Sequence, residues 1–262
     1  MNQPRPEVNN RDRSAWDLLR RSTPARIGLD RAGHAMTTSG ALDLGEAHAR
    51  ARDAVHVPLD VDALAGDLAD LHPLIVTSQA PDRSTYLRRP DLGRLLASRT
   101  GQPPPSSDVV FVLADGLSAT AVGKHAAAVL RGCLQLLAQE PVWAVAPPVI
   151  ATQARVALGD DVATMFSATA VVVLIGERPG LSANDSLGAY LTWQPYRDVT
   201  DAHRNCISNI RPPDGLGYDD AARQIIDLLN GARALGTSGV ALKNNTGWPA
   251  ALTTPTEPQG GQ

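Results

Sequence analysis

AVVVLIGERPGL, residues 170–181, is the stretch that decides the fold of this chain. Its first six residues are apolar and mostly β-branched, which is typical of a central strand buried on both faces of a parallel sheet. The charged pair Glu177 and Arg178 follows, flanked by Gly176 and Gly180. Because open α/β sheets bind ligands at the carboxyl ends of their strands, we expect this pair to border a ligand crevice. We also expect the glycines to let a bulky partner approach the backbone.

The rest of the C-terminal half repeats this alternation of strand and helix. Residues 108–114, apolar after Asp108, predict a second buried strand. The apolar positions that follow, up to Leu137, recur every three or four residues, which indicates a helix with one buried face. Short apolar runs at 142–145 and 240–242 predict further strands, and residues 218–235 predict an amphipathic helix. The pattern indicates an α/β fold, with a Rossmann-like, doubly wound parallel sheet in the C-terminal domain.

A proline-rich segment marks the predicted domain boundary. Residues 101–107 read GQPPPSS, and consecutive prolines cannot continue a helix. Residues 14–100 before it are predicted to form a smaller, mostly helical domain, and residues 106–243 the Rossmann-like domain. The terminal segments 1–13 and 244–262 are polar and rich in proline, asparagine, threonine or glycine, so both are expected to be disordered tails.

Composition narrows the class of protein. The chain has 262 residues and a formal net charge of -3, which gives no reason to expect nucleic-acid binding. Two cysteines, Cys133 and Cys206, are too few for a disulfide framework or a zinc site. No secretory signal is recognisable, and no apolar run reaches the roughly 18 residues of a membrane-spanning helix. These features predict a cytoplasmic protein without a membrane association.

The residues alone leave two chemical interpretations open. Asp115 and Ser118 lie in the turn ADGLS after a strand, where they could form a phosphate site or supply a nucleophile, or where Ser118 could cap the next helix. Neither GxGxxG nor GxSxG is present there, which disfavours a dinucleotide site or a nucleophile elbow. Glu177 could accept hydrogen bonds from a ligand, or form a salt bridge with Arg178. Asp160 or Asp161 is expected to cap a short helix.

Seven uncommon strings, in order, resemble the small (light) subunit of ethanolamine ammonia-lyase. The resemblance covers roughly residues 23–243. The strings are TPARIGLDRAG (23–33), HARARDAVH (48–56), ADGLSATAVGKHA (114–126), RVALGDDV (155–162), GERPGLSANDSLGAYLTW (176–193), DAHRNCISNIRPPDGLGY (201–218) and LGTSGVALK (235–243).

The resemblance implies a hetero-oligomeric enzyme that depends on adenosylcobalamin. In that family the holoenzyme converts ethanolamine to acetaldehyde and ammonia through an adenosyl radical, and a TIM-barrel large subunit binds most of the ethanolamine. The small subunit completes the cobalamin site at the subunit interface and supplies no catalytic acid, base or nucleophile. The family is also associated with bacterial microcompartments, so residence inside one is a further expectation.

By motif position, the resemblance implies that Val156, Glu177 and Cys206 contact the cofactor. The family keeps the cofactor's own base on cobalt, so no protein ligand to the metal is expected. The residues agree, because Asp201 and His203 begin a DxHxxG-like string that has Cys206 in place of its glycine. Two alternatives remain: a stand-alone nucleotide- or phosphate-binding α/β hydrolase that uses Asp115 and Ser118, and a structural subunit that contacts no ligand.

Overall fold

A mixed six-stranded sheet forms the centre of the molecule. The computed structural model describes residues 10–23, 25–98, 106–139 and 143–243. A two-residue hairpin, β1 (Arg31–Ala32) and β2 (Ala35–Met36), precedes the sheet. The sheet strands are β3 (Leu74–Thr77), β4 (Val109–Ala114), β5 (Val149–Thr152), β6 (Ala170–Gly176), β7 (Leu187–Trp193) and β8 (Arg204–Ile210).

Helices cover both faces of this sheet. Their bounds are α1 (Asn10–Arg20), α2 (Thr38–His56), α3 (Val61–Asp67), α4 (Arg83–Arg88), α5 (Ala119–Ala121), α6 (Ala127–Leu137), α7 (Leu158–Met165) and α8 (Tyr218–Leu235). A π-helical turn, Val122–Ala126, joins α5 to α6. Among the described residues, no helix is both long and apolar enough to cross a membrane.

The strand order is β3-β5-β4-β6-β7-β8. The first four strands in this order are parallel, so the predicted α/β class with a parallel sheet is confirmed for them. The prediction did not include β7 and β8, which extend the sheet as antiparallel neighbours of β6 and of each other. The segment between β6 and β7 contains no helix, and without a long crossover the chain can only return antiparallel.

Burial on both faces explains why β6 is apolar throughout. Val172 and Leu174 belong to the core cluster that includes side chains of α6 and α8, whereas Val171 and Val173 belong to the cluster that includes side chains of α7. Successive side chains of a strand point to opposite faces, so a strand covered on both sides has no polar position. The central strand predicted from residues 170–175 is confirmed.

Two predicted strands are not formed by the residues that the structure describes. Residues 240–242 instead follow Gly239 in a 3-10 turn, Gly239–Ala241, where the positive φ of Gly239, 79°, is incompatible with a strand. In the segment 142–145, residue 142 lies outside the described ranges and Val145 forms only a single bridge to Val109. The strand starts later, at Val149, because Pro147 and Pro148 cannot donate backbone hydrogen bonds.

The sheet extends across the predicted domain boundary. β3 precedes the proline-rich segment, yet Leu74 pairs with Val149 of β5, so the N-terminal part of the chain supplies an edge strand of the sheet. Residues 101–105 of the boundary lie outside the described residues, as do 1–9 and 244–262 of the predicted tails. α1 begins at Asn10, inside the N-terminal tail that the sequence predicted.

Candidate functional site

A pocket of about 470 Å³ opens at the carboxyl ends of β4 and β6. It lies where the sequence analysis placed a ligand crevice. Its walls include Tyr86, Arg155, Val156, Glu177, Tyr190 and Ser208. Two of the three predicted cofactor contacts, Val156 and Glu177, therefore line one cavity, although they come from distant parts of the chain.

Glu177 is held in place by hydrogen bonds from this chain. One carboxylate oxygen accepts from the hydroxyl of Ser208, and the other accepts from the hydroxyl of Ser186 and from the backbone N–H of Asn209 at 3.3 Å. No ion pair to Glu177 is found among the described residues, so neither Arg178 nor another arginine neutralises it there. A carboxylate has about four acceptor positions, and three donors leave one for a ligand.

A bulge in β8 aims two of these donors, Ser208 and the Asn209 amide, at Glu177. The pairing of β7 with β8 changes register between Leu187 and Ala189, and Asn209 has a positive φ of 59°. Such a bulge adds a residue to one strand and redirects its side chains. Ser208 and the Asn209 amide can therefore both reach the carboxylate at the end of β6.

Cys206 lies beside the pocket but is not among its lining residues. It is exposed and pairs across the sheet with Tyr190, which does line the pocket. Partial desolvation raises the pKa of the Cys206 thiol, although a hydrogen bond with Tyr190 lowers it. Cys206 and Ser208 are two residues apart on one strand, a spacing that favours the same face.

Val156 and Arg155 are placed by a loop that Asp115 anchors. The buried carboxylate of Asp115 accepts from the backbone N–H groups of Gln153 and Ala154, both at 2.9 Å. The Tyr86 hydroxyl donates to the carbonyl of Ala154 at 3.1 Å. The loop between β5 and α7 is thus fixed from two sides, and its next two residues line the pocket.

Asp115 and Ser118 both have structural partners. Burial raises the pKa of Asp115, against the opposing effect of the two amides and of Arg83, whose guanidinium lies 3.2 Å away. Ser118 is fully buried, and its hydroxyl donates to the carbonyl of Asn184 at 2.8 Å while accepting from the Ala121 N–H. The helix-capping interpretation of Ser118 is confirmed.

Gly176, next to Glu177, and Gly116 serve the chain's own packing. A Cβ atom on Gly176 would lie 2.0 Å from the carbonyl oxygen of Ser118, and one on Gly116, which has a positive φ of 55°, would lie 2.2 Å from the carbonyl oxygen of Gly176. Gly180 would meet only ordinary contacts, at 3.5 Å or more. Gly176 is therefore required by the crossing of two backbone segments, a reason the sequence did not reveal.

A buried ion pair fixes the start of β8. Arg204 donates to both carboxylate oxygens of Asp160, at 2.8 and 2.6 Å, and also to the Thr192 hydroxyl at 2.7 Å. The side chains of Arg204 and Asp160 are only 2% and 5% exposed. The prediction that Asp160 or Asp161 caps a helix is wrong, because Ala157 occupies the cap position and both aspartates lie in the first turn of α7.

Sequence reasoning missed several residues of the site. Tyr86 carries no local signal, because its place in the site is defined by contacts with residues far away in the chain. Arg155, Ser186 and Ser208 lie inside strings that carry the family resemblance, so proximity to a motif was the only clue to these three residues. Within the described ranges, no cluster of three or more His, Cys, Asp or Glu could hold a metal ion.

Comparison with known proteins gives a consistent result. A family model described as "Ethanolamine ammonia-lyase light chain (EutC)" matches residues 13–243. A protein of Rhodococcus erythropolis named ethanolamine ammonia-lyase small subunit is 49% identical over 234 residues, which cover 88% of this chain and 90% of that protein. Proteins with the same name from Ralstonia nicotianae and Rhodopseudomonas palustris are 48% identical over 238 residues and 49% identical over 240 residues. The match to the Ralstonia protein covers 87% of each chain. The match to the Rhodopseudomonas protein covers 89% of this chain and 91% of that protein.

Proposed function

This chain belongs to the ethanolamine ammonia-lyase light-chain family, and from this we propose that it forms one wall of an adenosylcobalamin site. The site would lie at the interface with a large subunit, in an enzyme that converts ethanolamine to acetaldehyde and ammonia. The bound cofactor would supply the radical chemistry. The large subunit, a TIM barrel by family resemblance, would bind most of the ethanolamine.

The observation that carries this proposal is the oriented carboxylate of Glu177. Two hydroxyls and an amide hold it at the pocket while leaving acceptor capacity unused. An acceptor-only group suits the amide N–H and ribose hydroxyl groups that surround a corrin. Val156 adds an apolar contact, and Cys206 a small side chain beside Tyr190.

The residues present fit such a cofactor in two further respects. The Nε atom of Arg155 is buried without a hydrogen-bond partner, so the pocket lacks an acceptor that a ligand can provide. The cavity of about 470 Å³ is much smaller than a cobalamin, as expected for one wall of a shared site. We propose no cobalt ligand from this chain, because the family resemblance implies that the cofactor keeps its own base on cobalt.

The two alternatives make different demands on the site. A hydrolase would need a reactive Ser118, but this hydroxyl is fully buried and bonded to a backbone carbonyl. A purely structural subunit would not need an oriented carboxylate at a pocket. Residence in a microcompartment stays a prediction from the family resemblance.

Reconstitution tests the proposed function. We expect the purified chain alone to release no acetaldehyde from ethanolamine and to bind cobalamin weakly, because it supplies only part of the site. Adding the large subunit and adenosylcobalamin should restore turnover, measured with a coupled aldehyde assay. Robust turnover by the single chain would contradict the proposal, and the large subunit alone serves as the control.

Thiol labelling tests the position of Cys206. Cys206 is exposed, whereas Cys133 is buried and its burial raises the thiol pKa to about 12. We expect iodoacetamide to modify Cys206 and spare Cys133 in the folded chain, as measured by mass spectrometry. In the complex with the large subunit, modification of Cys206 should be slower with cyanocobalamin than without it. Equal rates with and without cyanocobalamin would argue against a contact, and Cys133 provides the internal control for unfolding.

A further inference from the structure

No carboxylate in the described part of the chain forms an ion pair with the guanidinium of Arg155. Its backbone N–H donates to the carbonyl of Gly93 at 2.8 Å, but its guanidinium makes no hydrogen bond or ion pair with a described residue, and its Nε atom is buried. Arg83 nearby differs, because its guanidinium contacts Asp115 at 3.2 Å and the carbonyl of Val55 at 2.7 Å. A half-buried cation without a carboxylate partner is costly, which points to a missing anion.

The side chain of Arg155 is also rigidly presented. Its guanidinium carbon lies 4.5 Å from the centre of the Tyr86 ring, and Arg83 lies 4.8 Å from the same ring centre. A Cβ atom on Gly93 would come within 2.9 Å of the ring and 3.0 Å of the Arg155 stem. Since Tyr86 is fully buried and anchors the loop before Arg155, the guanidinium is stacked in one place.

Arg155 borders the same pocket as Glu177 and Val156, and it also borders an adjoining cleft of about 210 Å³. Glu177 accepts hydrogen bonds, and Arg155 only donates them. The pocket therefore presents complementary groups to a ligand that carries both donors and an acidic acceptor. A planar guanidinium fits a tetrahedral phosphate better than a neutral amide oxygen, because it can make two parallel charge-assisted hydrogen bonds.

We propose that Arg155 binds the phosphodiester group in the nucleotide tail of the cobalamin. This inference rests on the proposed function. In this proposal Arg155 binds an anionic group of the cofactor, whereas Glu177 accepts hydrogen bonds from donor groups of the cofactor. The phosphodiester belongs to the nucleotide tail of cobalamin, and cobinamide lacks this whole tail: phosphate, ribose and dimethylbenzimidazole.

The test compares two corrinoids on the assembled complex of both subunits. Binding of cyanocobalamin and of cyanocobinamide is measured by equilibrium dialysis for the wild type, Arg155→Met and Arg155→Lys. Met keeps the aliphatic stem that packs on Tyr86 but removes the charge and the donors. We expect Arg155→Met to weaken cyanocobalamin binding by about 10- to 100-fold and to leave cyanocobinamide binding unchanged. Lys should give an intermediate loss, because it keeps the charge without the planar fork.

Arg88→Ala is the matched control, since it removes an exposed cation from the same helix as Tyr86 and should leave both affinities unchanged. Equal losses for the two corrinoids in Arg155→Met would overturn the phosphodiester assignment. So would weaker subunit assembly without corrinoid, which would identify a carboxylate of the large subunit as the partner. If the wild-type complex binds neither corrinoid, the proposed function itself is wrong. Thermal unfolding of each variant excludes misfolding as the cause.

Discussion

Asp160→Ala is expected to lower the free energy of unfolding by about 3–5 kcal/mol. The substitution leaves the buried guanidinium of Arg204 without the carboxylate that it hydrogen-bonds, although the exposed Asp201 lies 3.7 Å away. Arg204 also donates to the Thr192 hydroxyl of β7 and to the carbonyl of Val199, which precedes β8. Removing one partner of a buried pair is more costly than removing both, since the remaining charge stays out of water. Urea unfolding followed by circular dichroism measures the change.

A second ion pair in the same chain provides the control. Arg223 and Asp220 lie 2.6 Å apart, the same separation as the closest atoms of Arg204 and Asp160, but their side chains are 60% and 61% exposed. Arg223→Ala should cost no more than about 1 kcal/mol. The double variant Asp160→Leu with Arg204→Met should be more stable than Asp160→Ala. If Asp160→Ala costs no more than Arg223→Ala, the buried pair does not stabilise the fold.

Glu177→Ala is expected to weaken cobalamin binding by the assembled complex about 5- to 150-fold. The loss corresponds to roughly 1–3 kcal/mol for a ligand donor that is left without an acceptor. Glu177→Gln should lie between Ala and the wild type, because it keeps one acceptor oxygen but loses the charge. Equilibrium dialysis with cyanocobalamin measures the affinity, and thermal unfolding is recorded in parallel.

The structure also predicts a modest stability cost for Glu177→Ala. Ser186 is buried and its hydroxyl would lose its acceptor, whereas the exposed Ser208 can turn to water. Ser186→Ala is therefore the control: it should reproduce part of the stability change while keeping the carboxylate, and it should affect affinity less than Glu177→Ala does. An unchanged affinity for Glu177→Ala together with a large loss of stability would show that Glu177 serves only the fold.

Several properties of this site follow from the residue order alone. The uninterrupted apolar run at 170–175 predicts a strand buried on both sides, because no position in it tolerates water. Glu177 then has to emerge at the carboxyl end of that strand, since only Gly176 separates the two. The ADGLS turn likewise predicts a cap at Ser118, because a hydroxyl before a helix can satisfy a free N–H.

Tertiary structure decided what depends on pairing between distant residues. Residues 187–193 became an antiparallel strand by pairing with β6, and residues 204–210 became one by pairing with β7. The polar string RNCISNI has no apolar run that predicts a strand. Asp160 and Arg204 lie 44 residues apart. The local sequence therefore suggested only that the aspartate caps the helix that follows it. The unmatched charge of Arg155 is also a tertiary property. Local sequence restricts backbone conformation, whereas the pairing of charges depends on which side chains the folded sheet brings within a few ångströms.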